Sequence, residues 1–583
     1  MIWRLTCGLM AVALAAGCPG EGQDEPQGRG DVASVAVIPD TPVVEVSPGE
    51  PATVAFIAQI TRADGTVEES SEVSWTSSNL NVGEIDTDGL FATTDLTGGT
   101  THVRATYLGV WGQTTLTVVF RQEVETDGAP EGAAELFDTV EVADSGDEAD
   151  LLYPLDGVKI PRNTPQITFM WDQGPVCNLF RLRFRSEVTQ VDVYTADTSW
   201  VPEEDLWHTI AAANAGGTTT LELGCLAYHD DGGGPVADSD VLVPADPATI
   251  HISRLDAEGS IYYWNASIGG VYRIPFGAQQ AEEFYGMNNY GHCISCHVIS
   301  PDGSKMAVTY DGGNQNLGLV SMDAPLDDGQ ATIAYSAERH GNFKTFSPDS
   351  SRMVSSYWGT LSVSNADNGN HLYDLDLDFL ATMPSWSPQG DLLAVVMIDE
   401  DSYDPEWVAS FHGSRIALLD VAEDGTIGTE PQVIVDAEDG STVYYPAFSP
   451  DGEWIAYNTS WDTDGTDESW NTYDDPSATL RVVSADGTVG FPLGDANGEG
   501  YLTNSWPGWA PQPDADVQWL TFSSKRAYGS LTSLDDGRPQ IWVAAFDLDE
   551  ATQGGGGDPS SPPFWLPFQD VGTNNHISTW GPR

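Results

Sequence analysis

Five short segments in the C-terminal half of the chain share one pattern. They are Ile299-Ser300-Pro301-Asp302-Gly303, Phe346-Ser347-Pro348-Asp349-Ser350, Trp386-Ser387-Pro388-Gln389-Gly390, Phe448-Ser449-Pro450-Asp451-Gly452 and the degenerate Trp509-Ala510-Pro511-Gln512. Their Ser or Ala positions (300, 347, 387, 449 and 510) lie 40 to 62 residues apart, one four-stranded unit each plus insertions. Proline sets the turn backbone, Asp and Gly complete it, and a strand such as Lys305-Met306-Ala307-Val308 or Trp454-Ile455-Ala456-Tyr457 follows. A repeat of this period cannot bury its apolar face alone, so the copies must pack on one another.

Aromatic-Ser-Pro-Asp-Gly followed by a strand resembles the PD40 repeat of TolB-like β-propellers. The resemblance implies an all-β propeller over residues 256–583, with Pro-Asp-Gly joining the first and second strands of each blade. His576-Ile577-Ser578-Thr579-Trp580-Gly581 aligns with a sixth first strand. Ile261-Tyr262-Tyr263-Trp264 and Val271-Tyr272-Arg273-Ile274 are its expected blade-mates, closing six blades with no free sheet edge. The same two strands also suit the end of the preceding domain.

Cys293-Ile294-Ser295-Cys296-His297 runs directly into the first repeat. Two thiols at i and i+3 followed by an imidazole are what covalent haem c attachment requires: the thiols add across the vinyl groups and the histidine binds iron. A local disulfide, a redox CxxC and half a zinc site are the competing readings. A zinc site wants more ligands at suitable spacing, and only His292 is near; a thioredoxin motif wants a βαβ context. CxxCH occurs once, so one haem is expected. His297 is three residues before Ser300, which puts the haem on the face where chain enters each first strand. For the sixth ligand His576 is preferred, with His340 and Met287 as alternatives and His412 more remote. Two histidines give low potential, and His/Met ligation a higher one. The insertions at Asp399–Ser410, Asp462–Asp475 and Lys525–Arg538 are expected to wall this site. Asp462, Asp464 and Asp467 offer oxygen ligands for Ca²⁺, but their spacing does not match an EF-hand loop, and solvated loop charge is the simpler reading.

The N-terminus sets the expected compartment. Residues 1–18 carry Arg4, an apolar stretch from Leu9 to Ala16 and small residues before Cys18, as an export signal does. Leu14-Ala15-Ala16-Gly17-Cys18 resembles the lipobox of bacterial lipoproteins, which implies lipidation at Cys18, a polar tether over 19–30 and an envelope location at the outer membrane, cell surface or periplasmic side. Cys7 falls inside the signal. Cys177 and Cys225 share one expected domain and suit a disulfide in an oxidising compartment.

Residues 31–120 alternate apolar and polar in short strands. Val73-Ser74-Trp75-Thr76-Ser77-Ser78-Asn79 and Gly83-Glu84-Ile85-Asp86-Thr87-Asp88-Gly89-Leu90-Phe91 resemble the bacterial Ig-like domain of group 2. That implies a sandwich with Trp75 in its core, Asp88-Gly89 at a hairpin turn and a spacer role. Residues 121–150 hold eleven acids against one base and read as a linker. Residues 151–255 return to alternating strands, such as Phe180-Arg181-Leu182-Arg183-Phe184, and read as a second β-sandwich.

A formal net charge of −66 excludes nucleic acid and anionic lipid as partners, leaving the membrane accessible only through the anchor. With 40% hydrophobic residues and 19 Trp, the acidity is a solvated surface around packed cores. The leading expectation is an extracytoplasmic c-type cytochrome lipoprotein passing electrons to a protein partner, its acidic rim suited to a basic one. The alternative is a propeller scaffold at the envelope, with haem or metal in a structural or sensory role. An enzyme is the weakest class, for there is no G-x-S-x-G elbow, HExxH or triad signature.

Overall fold

The computed structural model describes residues 31–582, apart from 144–145, 245, 311–315, 325, 328–329, 400–408, 462–471, 513–516 and 554–556. The expected signal, tether and Cys18 lie outside these residues, as do Asp462, Asp464 and Asp467. The protein is all-β and divides into two units.

In the first unit Val32–Ile38, Ile57–Arg62 and Val67–Ser70 form one antiparallel sheet, and Thr53–Ala55, Leu90–Thr93 and Gly83–Ile85 another. Alternation buries Val35, Val37, Ala58 and Ile60 on one side and Phe91 on the other. Asp86 Oδ1 accepts from the backbone N–H groups of Asp88 and Leu90, both at 2.9 Å, and Gly89 supplies the left-handed residue (φ 82°). Trp75 is not the core residue expected of it. Its ring is half-buried, 6.5 Å from Phe56, and it roofs Gly89; fully buried Phe91 takes the interior position instead.

The second unit begins before residue 151. Residues Phe120 to Glu125 pair in parallel with Thr189 to Tyr194, and helix Ala133–Thr139 buries Ala133, Leu136 and Phe137. Phe137 packs 5.6 Å from Tyr194 and under the Arg181 guanidinium at 4.9 Å. The acid-rich stretch read as a linker is therefore folded over most of its length. In the helix the apolar residues sit at helical spacing, with Glu135 and Asp138 left exposed. Beyond it, Leu179–Arg185, Thr189–Thr195, Thr218–Leu226 and Ala248–Ile252 build the main sheet, where Phe169 packs edge to face with Phe184 and Trp207 and at a tilt on Trp200. Cys177 and Cys225 are joined by a disulfide there.

Six four-stranded antiparallel sheets follow, and they form the propeller. In the closing blade Asn575–Gly581 is the innermost strand beside Ser260–Asn265, Gly270–Pro275 and Glu282–Gly286, pairing Asn575 with Asn265 and Gly581 with Ser260. Both ends of the domain share one sheet, so these strands belong to the propeller and not to the sandwich before it.

The repeat residues explain themselves at the turns. Ser300 Oγ donates to Asp302 at 2.6 Å and accepts the Lys305 N–H at 2.9 Å; Asp302 also accepts the Ser304 N–H at 2.9 Å, and Gly303 is left-handed (φ 68°). Burial opposes the charge on Asp302, but these hydrogen bonds prevail and hold its carboxyl down to about 2. The Ser347/Asp349 and Ser449/Asp451 pairs repeat the arrangement. These serines and aspartates are turn locks, and their chemistry is spent on the backbone.

Candidate functional site at the channel mouth

Opposite those turns, the first strands converge on a central cavity of about 210 Å³ lined by residues 296–298, 342–345, 383–385, 445–447, 506–509 and 577–580. Four residues before each repeat Ser, or its counterpart Gly581, stand Cys296, Phe343, Met383, Tyr445, Trp506 and Ile577, one per blade. In five blades the strand pairing slips at this height, a bulge that turns the side chain inward. Met383, Tyr445, Trp506 and Ile577 accept left-handed backbone there, with φ of 50° to 58°. Such strain in non-glycine residues collects where structure serves function. Trp506 stacks 3.9 Å from Tyr445, and Phe343 lies 5.8 Å from both. Cys296 thus occupies the place where every other blade sends an apolar or aromatic side chain.

Cys293 immediately precedes strand Ile294–Ile299 and packs on the turn between Ser260–Asn265 and Gly270–Pro275 of the closing blade; a Cβ on Gly269 would lie 2.9 Å from its Sγ. Neither Cys293 nor Cys296 is in a disulfide. Burial pushes the Cys296 thiol up, with the Lys344 charge opposing. His297 is only 6% exposed, its Nε2 3.3 Å from the Tyr262 carbonyl oxygen and its Nδ1 without a partner. Burial, assisted by Lys344, pushes it down to about 4, so the imidazole is neutral at physiological pH, the form that binds a metal.

His576 lies on the adjacent strand Asn575–Gly581, 0% exposed, stacked 4.6 Å from Tyr473 and edge-on to Trp506. Neither of its ring nitrogens has a partner in bonding geometry, and burial, with the charge of Lys525, pushes it down to about 3. His340 ends strand Ala334–His340, stacked 4.8 Å from Tyr357 with Nδ1 orphaned; like His576, it does not itself line the cavity. Met287 opens a short helix and is 43% exposed. His412 is half-buried at the end of its insertion. Of the expected walls, the second reaches the mouth through Tyr473. The Lys525–Arg538 insertion instead docks on the sandwich, with Tyr528 4.9 Å from Tyr153 and Gly529 against Met170.

The donor set fits a haem c in chemistry: two thiols outside any disulfide, and a neutral imidazole with an orphaned nitrogen. His297, His340 and His576 are the only histidines with orphaned buried nitrogens among the described residues. Iron ligation through Nε2 of His297 would replace its contact with Tyr262. Among the described residues no three His, Cys, Asp or Glu side chains converge as a metal-ligating group. Sequence reading missed Lys344 and the aromatic ring. The ring was open to discovery, because counting back four residues from each repeat Ser gives it directly.

No family model matches this chain, and no curated protein matches it. Solved structures similar to it include a TolB from Agrobacterium tumefaciens (16% identity, 51% of this chain and 87% of that one, TM-score 0.31). The Kuenenia stuttgartiensis hydrazine synthase is similar at 15% identity over 48% and 71% of the two chains, TM-score 0.32. An oligogalacturonate lyase from Vibrio parahaemolyticus is similar at 15% over 51% and 72%, TM-score 0.29. These likenesses are low, and it is the chain's own six four-stranded sheets, among the described residues, that make it a six-bladed β-propeller.

Proposed function

We propose that this protein is an extracytoplasmic c-type cytochrome, tethered to the cell envelope through Cys18, that exchanges electrons with a protein partner. The observation that carries the reading is the place of Cys293-Ile294-Ser295-Cys296-His297 at the channel mouth, with His297 kept neutral and one of its nitrogens orphaned. Cys293 and Cys296 would hold the porphyrin through thioether bonds, and His297 the iron. A bound haem would supply one-electron oxidation and reduction.

The chain's own residues set the conditions for it. Phe343, Tyr445 and Trp506 pack on one another along the cavity wall. His576, buried and neutral, is the favoured sixth ligand over His340 and Met287, because its strand packs beside that of His297, where Thr579 Oγ1 donates to the His297 carbonyl at 3.4 Å. The cavity, about 210 Å³, is below the 300–1,000 Å³ usual for ligand clefts and would hold at most part of a porphyrin. The −66 charge favours a basic partner. Among the described residues no helix is long and apolar enough to cross a membrane.

A pyridine haemochrome spectrum and a denaturing-gel haem stain on protein exported through a cytochrome c maturation system test the reading. A c-type spectrum that survives denaturation, and disappears in Cys293→Ala/Cys296→Ala, is expected. Mature exported protein without covalent haem overturns it.

A further inference from the structure

The chain contains four lysines. Three meet a carboxylate: Lys159 with Asp547 at 3.2 Å, Lys305 with Asp367 at 2.9 Å and Lys525 with Asp474 at 2.7 Å. Lys344 meets none among the described residues. Its ammonium donates to Thr309 Oγ1 at 2.7 Å, the Asn342 carbonyl at 2.8 Å and the Gly341 carbonyl at 3.2 Å, all neutral oxygens. The residue is 8% exposed and lines the channel cavity. In a chain with 88 acids, the lysine lacking a counter-charge is the buried one facing a void.

What Lys344 lacks is negative charge, since its hydrogen bonds are already made. An ammonium taken out of water without a compensating charge is strongly disfavoured. Burial accordingly pushes its pKa down to about 8, which still leaves it mostly charged at neutral pH. Of the residues that line the cavity, Trp506 carries a buried indole N–H without a partner. An indole N–H can only donate, so it asks for an acceptor. The aromatic faces of Tyr445 and Trp506 suit a flat molecule, and about 210 Å³ admits only a small one.

We propose that the channel mouth binds a small planar monoanion of the carboxylate class, attracted by the Lys344 charge and hydrogen-bonded by the Trp506 indole. A free carboxylate and a propionate of the haem inferred above share this chemistry, and the two sources are separable. The probe is ¹³C-formate, titrated at constant ionic strength in chloride and followed by NMR. Haem-free protein, made without the maturation system so that Cys296 is retained, is compared with haem-loaded protein.

Saturable formate binding by the haem-free protein, at least tenfold weaker in Lys344→Met of unchanged circular dichroism, is the expected result. If haem-loaded protein also binds formate, the ligand is a free anion. If only haem-free protein binds it, a propionate fills the site. Should Lys344→Met fail to fold, Trp506→Phe carries the comparison, with weakened binding expected from loss of the N–H. No saturable binding to the haem-free protein, or equal binding by wild type and the folded variant, overturns the proposal. Because the decisive arm uses haem-free protein, its outcome is independent of whether haem attaches.

Discussion

The two ends of each first strand obey opposite rules. At the turn end, every repeat Ser is almost fully buried and its hydroxyl both donates and accepts, as Ser300 and Ser449 do. At the mouth end, four residues away, buried polar atoms are left without partners on His297, Asn342, Ser505, Trp506 and His576, and four non-glycine residues adopt left-handed backbone. Native interiors leave few polar groups unsatisfied, and departures gather where something other than stability is served. The turn end holds the blades together, and the mouth end is built for an occupant.

The largest effect expected from this difference is acid instability of the haem-free protein. His297 falls to about 4 and His576 to about 3 from an ordinary value of 6.5. Because the folded state resists protonation at both, their contribution is full above pH 6.5 and is lost as pH falls through 4 and then 3. At about 1.4 kcal/mol per pH unit, His297 alone accounts for about 3 kcal/mol between pH 6.5 and 4. Urea unfolding of wild type and His297→Gln at pH 7, 5.5 and 4.5 reads it as a difference, which cancels the shared carboxylate titrations. A gap between the two proteins that does not change over that range contradicts the account.

A smaller effect of opposite sign is expected at His576 in the same haem-free protein. Replacing a buried polar group that has no partner by an apolar one of similar shape is neutral or stabilising. His576→Phe keeps a ring to stack on Tyr473 and removes two orphaned nitrogens. A gain of about 1–2 kcal/mol at pH 7 is expected by chemical denaturation. A loss of similar size means that His576 is an ordinary packed side chain, and the contrast between the two ends weakens.

The turn end was legible in the chain because its bonds are local. Ser449 reaches Asp451 and Trp454, two and five residues on, so recurrence of the residues is recurrence of the contacts. Ring closure followed from that register, since His576 to Gly581 align with the other first strands. The mouth was legible only in part. Cys293, Cys296 and His297 announce themselves, but the isolation of Lys344 depends on Thr309, Gly341 and the cavity beyond them, which no local pattern records. Counting charges hid the helix Ala133–Thr139, where Leu136 and Phe137 outweigh the acids around them. Trp75 was given the core by the resemblance to an Ig-like domain, though the turn above it leaves that ring only half covered and Phe91 fills the interior.

Two variants probe the turn end itself, and the second of them carries the smallest effect. Ser449→Ala removes one hydroxyl that donates to Asp451 and accepts the Trp454 N–H at 3.0 Å. The backbone pair between the Ser449 N–H and the Trp454 carbonyl, at 2.8 Å, stays. A loss of about 1–2 kcal/mol is expected, the usual cost of leaving a buried donor unsatisfied, with the blade intact. Nature has made the same change at Ala510, where the pair from the Ala510 N–H to the Trp519 carbonyl persists at 2.9 Å in a folded blade. The reverse change, Ala510→Ser, should therefore gain almost nothing, because Gln512 stands where the other copies place the aspartate that receives the hydroxyl. Chemical denaturation of the two variants side by side decides whether the lock is the serine alone or the Ser-Asp pair. A clear stabilisation by Ala510→Ser would make it the serine alone.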